Sequence, residues 1–542
     1  MDNSFKNFTD YLSGKKSNLN TRMKDFPFKK STAIALTVIA TIILYFVYLP
    51  PLNLHARETW IFLMLVQFLL ILFAGNKVPF LKTRFSMLIG MFVLFILLNL
   101  TSLELFTAKK YANVINMEKG DFTEEIKEPV ISEIPTLDRE SSKRVASRKM
   151  GELLDLVSQF DIDDYYTQIN YKDHPVRVTP LKYNGLLKYL FNFKNGLPGY
   201  MLIDIVNGET QLVKLEEGIR YSNDDILFRN VKLHTRLSHP FEIFDHMEFE
   251  IDEEGTPYWV IPTYKNKVGW FGAYDVKNVI IVNAINGKTQ KFPVEECPQW
   301  IDRVYESDKI VQQLDWNGIY QLGYLNSRLA QKQAMQTTEG YNYLALNDDI
   351  YLYTGFTSVA GDQSNVGFVL SNLRTKETKF YPISSAKEVS AMASAEGAVQ
   401  EKGYKSTFPL LFNIENKPTY FLSLKDNEEL IKQYAFVDAK DYQRVSIGST
   451  VKEAYEKHTG KIVENKNYDE NTEFIEKSGV IEDIYGVVIN GNTHYYFTLV
   501  GDSNIYVSSI KLSEKLPFLK KGDPVSFSYA KTNINEVTSF EK

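Results

Sequence analysis

GYMLIDIVNGETQLVKL (residues 199–215), NVIIVNAINGKTQKFPV (278–294) and GFVLSNLRTKETKFYPI (367–383) follow one local plan. Each is an apolar strand, a tight polar turn and a second strand. Asn207-Gly208 and Asn286-Gly287 are the strongest short-range hairpin signals. Thr210, Thr289 and Thr378 take the same place in each copy. A second pairing joins FEIDEEGTPYWVIPTYKN (249–266) to LLFNIENKPTYFLSLKDN (410–427), both strand, turn, proline, aromatic pair, strand. Helices are expected between the copies, over Gln299–Leu314 and Ser385–Val399. Residues 140–160 read as an amphipathic helix with Val145, Met150, Leu153, Leu154 and Val157 on one side. The expectation is an α+β body of repeated small units, each a helix laid on an antiparallel sheet.

The 542-residue chain is long enough for several folding units. Three apolar stretches near the N-terminus, Thr32–Leu49, Trp60–Gly75 and Phe85–Leu103, are each close to the ~20 residues of a membrane span. They predict a head of three transmembrane helices, with the bilayer as a partner. The tail before them is basic (Lys6, Lys15, Lys16, Arg22, Lys24, Lys29 and Lys30), and so is the second loop (Lys77, Lys82 and Arg84). The positive-inside rule then puts the N-terminus in the cytoplasm and the body outside. The remainder of the chain is acidic, which disfavours binding to a nucleic-acid backbone. Cys297 is the single cysteine, so neither an internal disulfide nor a cysteine zinc site can form. An extracytoplasmic body without disulfides points to a bacterial envelope.

The scheme that follows has a basic tail (1–31), three spans (32–104), a stalk (105–139), α+β units (140–295 and 296–459), a linker (460–477) and a small β-barrel (478–542). Pro257–Pro262 and Val279–Phe292 resemble the PepSY type of bacterial envelope module, with weaker copies around 199–215 and 410–436. That resemblance implies a non-catalytic extracytoplasmic module that inhibits or holds partner proteins such as peptidases and cell-wall hydrolases. The five short strands of 478–541 resemble an OB-type barrel. Strand alternation there is expected to leave Tyr496, and Tyr506 or Tyr529, on an outer ligand surface. A carbohydrate or protein ligand suits that surface better than a polyanion.

No established catalytic motif is present in the sequence. His234, His239 and His246 lie near Asp245, Glu248 and Glu250, but their spacing with Pro240 between suits surface histidines better than a metal site. The acidic turns at 223–225, 252–255 and 347–349 complete no calcium loop and read as caps and hairpin turns. No catalytic residue, metal or cofactor is expected. The functional expectation is a membrane-anchored binding or scaffold protein of the bacterial envelope that recruits or regulates a membrane or cell-wall protein. The alternatives are an envelope hydrolase with carboxylate chemistry and an accessory subunit of a translocation or DNA-transfer complex.

Overall fold

A computed structural model describes residues 30–74, 81–346, 348–360, 364–461, 474–489, 492–513, 515–530 and 535–540. The chain divides after His458 into two compact units. The first holds four copies of one element, a helix followed by a four-strand meander. Helices α1 (Lys30–Tyr48), α2 (Arg57–Ala74), α3 (Leu81–Leu100) and α4 (Glu104–Ala112) precede them. The first copy is α5 (Arg139–Glu152) with β1 (Thr167–Tyr171), β2 (His174–Tyr183), β3 (Leu197–Asp204) and β4 (Thr210–Ile219). The second is α6 (Val231–Ser238) with β5 (Glu248–Ile251), β6 (Pro257–Val268), β7 (Gly272–Asn283) and β8 (Thr289–Pro293). The third is α7 (Ser307–Tyr320) with β9 (Asn342–Leu346), β10 (Asp349–Ser358), β11 (Ser364–Asn372) and β12 (Thr378–Tyr381). The fourth is α8 (Glu388–Gly397) with β13 (Leu410–Ile414), β14 (Lys417–Lys425), β15 (Ile431–Asp438) and β16 (Val445–Gly448), and α9 (Val451–Thr459) follows it.

The repeat is chemical as well as topological. The third strand of each copy ends on Asp204, Asn283, Asn372 or Asp438. Each side chain accepts the backbone N–H groups two and three residues on, as Asn283 does from Ile285 (3.0 Å) and Asn286 (3.0 Å). Side chains of this kind fold the backbone into a turn in place of continued ladder. Gly208 (φ 80°) and Gly287 (φ 75°) supply the left-handed step, which Lys376 (φ 67°) makes in the third copy.

The second sheet is the spine of the first unit. Its strands read as continuous apolar runs because both faces are covered. Trp259, Ile261, Ile280 and Val282 enter one core with Tyr200, Met201 and Ile203 of the first copy. Val260, Val279 and Ile281 enter another with Ile310, Leu314, Ile350 and Leu352 of the third.

Several expectations are corrected. Among the described residues one helix, Thr83–Leu100, is long and apolar enough to cross a membrane, which overturns the three-helix transmembrane head of the expected fold class. The apolar part of α1, Ile34–Tyr48, reaches only about 22 Å against a core of ~30 Å. The start of α2 is packed against the body: Ala56, Thr59 and Trp60 are buried, Arg57 lies over the Phe271 ring, and the Asn266 side chain donates to the His55 carbonyl (2.8 Å). The architecture is a sheet-rich α+β assembly. Residues 105–139 are no free stalk, since Tyr111, Ile115, Phe122, Ile134 and Leu137 are buried. Helix α5 ends at Glu152, leaving Leu154 exposed. Most of the expected linker lies outside the described residues, and its end, from Phe474, already belongs to a strand.

The second unit is a closed barrel of β17 (Phe474–Ile489), β18 (Asn492–Leu499), β19 (Tyr506–Ser509), β20 (Pro524–Ala530) and β21 (Asn535–Phe540), in the order β17-β18-β19-β21-β20. Ile481, Phe497, Leu499, Val525 and Phe527 fill it.

Two outcomes follow from this architecture. Asn283→Ala leaves two turn N–H groups without their acceptor and should cost about 1–3 kcal/mol, read as a lower denaturant midpoint, whereas Asn283→Asp should retain stability. An excised 474–542 fragment should unfold in one cooperative thermal transition.

Candidate functional site

Before the first copy, residues 118–137 run as a strap over the body. Glu118–Lys119 adds in parallel to the edge of β12. Asp121 caps the short helix Phe122–Glu125 by accepting from Thr123 and Glu124 N–H groups. Lys379 pairs with Glu125 (2.9 Å), Asn413 donates to the Ile126 carbonyl (2.8 Å), and Tyr455 donates to Glu128. At the far end the Ile205 carbonyl accepts from Thr136 and Leu137, and Arg177 donates to the Leu137 carbonyl (2.8 Å). Between these fastenings the strap bridges a cleft.

The cleft holds about 540 Å³ and lies where the first, third and fourth copies meet. Its floor is apolar: Leu344 and Leu346 of β9, Phe368 and Leu370 of β11, and Leu411 and Phe412 of β13. Among the described residues its rim carries Glu125, Glu128, Glu133, Asp173 and Asp348 against one lining cation, Lys127. Volume and lining match the usual ligand cleft, an apolar body with a few placed polar groups.

The polar end of the cleft is built in depth. Asn170 on the wall donates its side-chain N–H to Asp348 (2.8 Å) and its backbone N–H to Asp302 (2.6 Å). The backbone N–H groups of Asp302 and Arg303 bond both oxygens of Glu250 (2.9 and 3.1 Å). Glu248, two residues along β5 and so on the same face, accepts from Thr167 (2.8 Å), meets His246 (3.1 Å) and lies 3.6 Å from Arg303. The Arg303 guanidinium donates to the Tyr343 hydroxyl (3.0 Å) and lies 4.3 Å from the centre of its ring.

Environment separates the two glutamates. Burial pushes Glu250 up to about 8. Burial would raise Glu248 as well, but the His246 hydrogen bond and Arg303 outweigh it and hold that carboxyl at about 2. Burial also lifts Asp302 well above the carboxylate range, helped by the neighbouring Glu250. Such divergence can mark catalysis, though structural ion networks produce it too. Here Glu250 has no exposed surface and Asp302 is 1 % exposed, so neither meets a substrate in the cleft. What reaches the cleft is the fixed polar edge of Asn170 and Asp348.

The residues singled out from sequence are scattered. His246 joins the buried network, His234 bonds the Gly287 carbonyl (2.8 Å) and His239 meets Thr289 (3.2 Å). Among the described residues no cluster of three His, Cys, Asp or Glu is placed to hold a metal. Asp252 accepts from Glu254 (3.1 Å) and Thr256 (2.8 Å) in a turn. Cys297 is half-buried, and burial pushes its thiol up to about 12, which makes it a poor nucleophile. Tyr496 is half-buried on β18. Tyr506 and Tyr529, expected on an outer surface, are buried in the barrel, with ring centroids 5.0 Å apart. Tyr506 pairs across strands with Phe497 and must share its inward face, a register that strand alternation cannot supply. Among the described residues the exposed barrel aromatics are instead Tyr485 and Phe518.

No protein-family model matches the chain, and no curated protein sequence does either.

The buried acids make stability pH-dependent. In the folded state Glu250 keeps its proton to about pH 8, while the unfolded chain releases it near the ordinary glutamate value. Folding therefore takes up a proton, and this contribution is complete at acid pH and lost as pH rises through the folded value. His246, whose value is raised on balance by Glu248 against the effect of burial, acts in the same sense above its ordinary value. The unfolding temperature should fall as pH rises from about 5 to about 8. Glu250→Gln should flatten that slope in a fluorescence-monitored melt.

Proposed function

We propose that this chain is a membrane-anchored binding protein whose cleft beneath the strap takes an extended, basic segment of a partner protein. The observation that carries the reading is the pairing of an apolar floor with a rim of five carboxylates, of which Glu125 is paired with Lys379, and one lining lysine. An extended chain presents alternate side chains to opposite faces, so apolar residues can enter the floor while lysines or arginines meet the rim. The rim charges favour encounter with a cation and disfavour an acidic segment. The helix Thr83–Leu100 serves as anchor. Lys82 and Arg84 near its start favour a cytoplasmic N-terminal end, which leaves the body extracytoplasmic. A partner-holding role in a bacterial envelope is also what the PepSY-like motifs imply.

The test uses the full chain in detergent micelles and two fluorescein-labelled peptides, one alternating Leu and Lys, the other Leu and Glu. The Leu/Lys peptide should raise the anisotropy and weaken with added salt. Glu133→Lys combined with Asp173→Asn should weaken it about tenfold, near 1.4 kcal/mol. Asparagine is chosen because position 173 is left-handed, at φ 59°. Equal binding of both peptides, or turnover of either, would sink the proposal.

A further inference from the structure

The far end of α3 is bolted to the body. Thr101 Oγ1 accepts from the Trp270 N–H (3.0 Å), and Ser102 Oγ accepts from the Phe271 N–H (3.0 Å) while donating to the Val268 carbonyl (3.2 Å). The approach is close enough to demand glycine: a Cβ at Gly269, where φ is +59°, would lie 2.5 Å from the Thr101 carbonyl oxygen. The body therefore has a fixed attitude to the apolar helix.

Helix α4 begins four residues beyond α3 and buries Ala108, Tyr111 and Ala112 against α7. Tyr320, at the end of α7, donates to Glu104, at the start of α4. That contact brings the segment after α7 beside the exit of α3. Both segments turn large apolar side chains outward. On α4, Leu105 is 51 % and Phe106 72 % exposed, and Leu322, Leu325 and Leu329 are 53 %, 69 % and 81 % exposed. Solvent would not favour five such residues in one place. Basic residues flank them, Lys109 and Lys110 on one segment and Arg328 and Lys332 on the other, with Glu104 the one acid in either.

We propose that this patch is a second, interfacial membrane contact, seated in the headgroup region of an anionic bilayer beside the span. It rests on the reading of Thr83–Leu100 as an anchor. Continuity with that helix selects lipid as the occupant. Apolar fingers flanked by lysine and arginine are the composition that enters such an interface, to a depth of about 5–10 Å. Contact through the patch would hold the body against the bilayer and set the direction in which the cleft opens.

Nitroxide depth measurements test this in the full chain, with Cys297→Ser as background, in vesicles of phosphatidylethanolamine and phosphatidylglycerol. Labels are placed one at a time through Phe92→Cys in the span, Phe106→Cys and Leu325→Cys in the patch, and Val389→Cys in the fourth copy. The expected result is greater accessibility to oxygen than to a water-soluble nickel reagent at 106 and 325, intermediate between 92 and 389. Replacing phosphatidylglycerol with phosphatidylcholine should shift 106 and 325 toward the aqueous value and leave 92 unchanged. A lipid reading at 92 with aqueous readings at 106 and 325 overturns the interfacial contact and spares the anchor. An aqueous reading at 92 overturns the anchor and this inference with it. A patch label shielded from both reagents places protein there and also overturns it.

Discussion

One carbonyl in each copy holds that copy together. It belongs to the residue just after the turn-capping Asp or Asn: Ile205, Ala284, Leu373 and Ala439. Ile205 accepts from Thr136 and Leu137, Ala284 from Arg220 and Tyr221, and Leu373 from Val304 and Tyr305. In the fourth copy Ala386 donates to Ala439. In the first, third and fourth copies the donors lie just before the helix, and in the second they lie ahead of the Leu227–Arg229 turn that leads into it. The bond ties the helix's entrance to the end of the third strand, so the meander carries its helix at a fixed place. The capping side chain matters because it consumes the two turn N–H groups and leaves the carbonyl turned toward the helix lead-in. A buried carbonyl left without partners would be costly, which makes the lead-in an obligatory part of each copy.

Copies built this way still need a rule for meeting one another, and buried charge supplies much of it. Asp275 of the second copy pairs with Lys376 of the third (2.7 Å). Asp138, capping α5, pairs with Lys425 of the fourth (2.7 Å). Glu388, fully buried at the start of α8, accepts from Tyr353 (2.9 Å) and Asn365 (3.1 Å) of the third copy. Buried ionic and polar contacts contribute little net stability once desolvation is counted, but a wrong docking that leaves one charge unpaired costs several kcal/mol, ~3–5. Among four copies with similar apolar faces, such contacts distinguish the correct neighbour from the others.

What could be read in the sequence follows from the range of each interaction. The hairpins at Asn207-Gly208 and Asn286-Gly287 are legible because the side chains that form their turns bond backbone N–H groups only two and three residues on. Continuous apolar runs such as Val279–Val282 marked strands of the core. The strap was illegible: its charges and prolines match those of a solvated linker, and only distant partners such as Asn413 and Ser423 pin it down. The buried role of the β5 acids is illegible because their partner, Arg303, is more than fifty residues away and no periodicity links them. The three-span expectation counted apolar residues without seeing that the start of α2 already packs against the body.

The cleft owes its shape to both levels. Its floor needs strands from the third and fourth copies, its polar wall needs Asn170 of the first, and its roof needs a strap fastened at both ends. The buried network behind the wall fixes Asn170 through Asp302, so the polar end is rigid, while the roof segment is exposed at Val130 (56 %). A rigid wall facing a roof tied at its two ends suits a ligand that enters lengthwise. On the proposed reading, recognition falls to the rim charges and the apolar floor. The acids of the buried network serve the cleft by holding its wall in place.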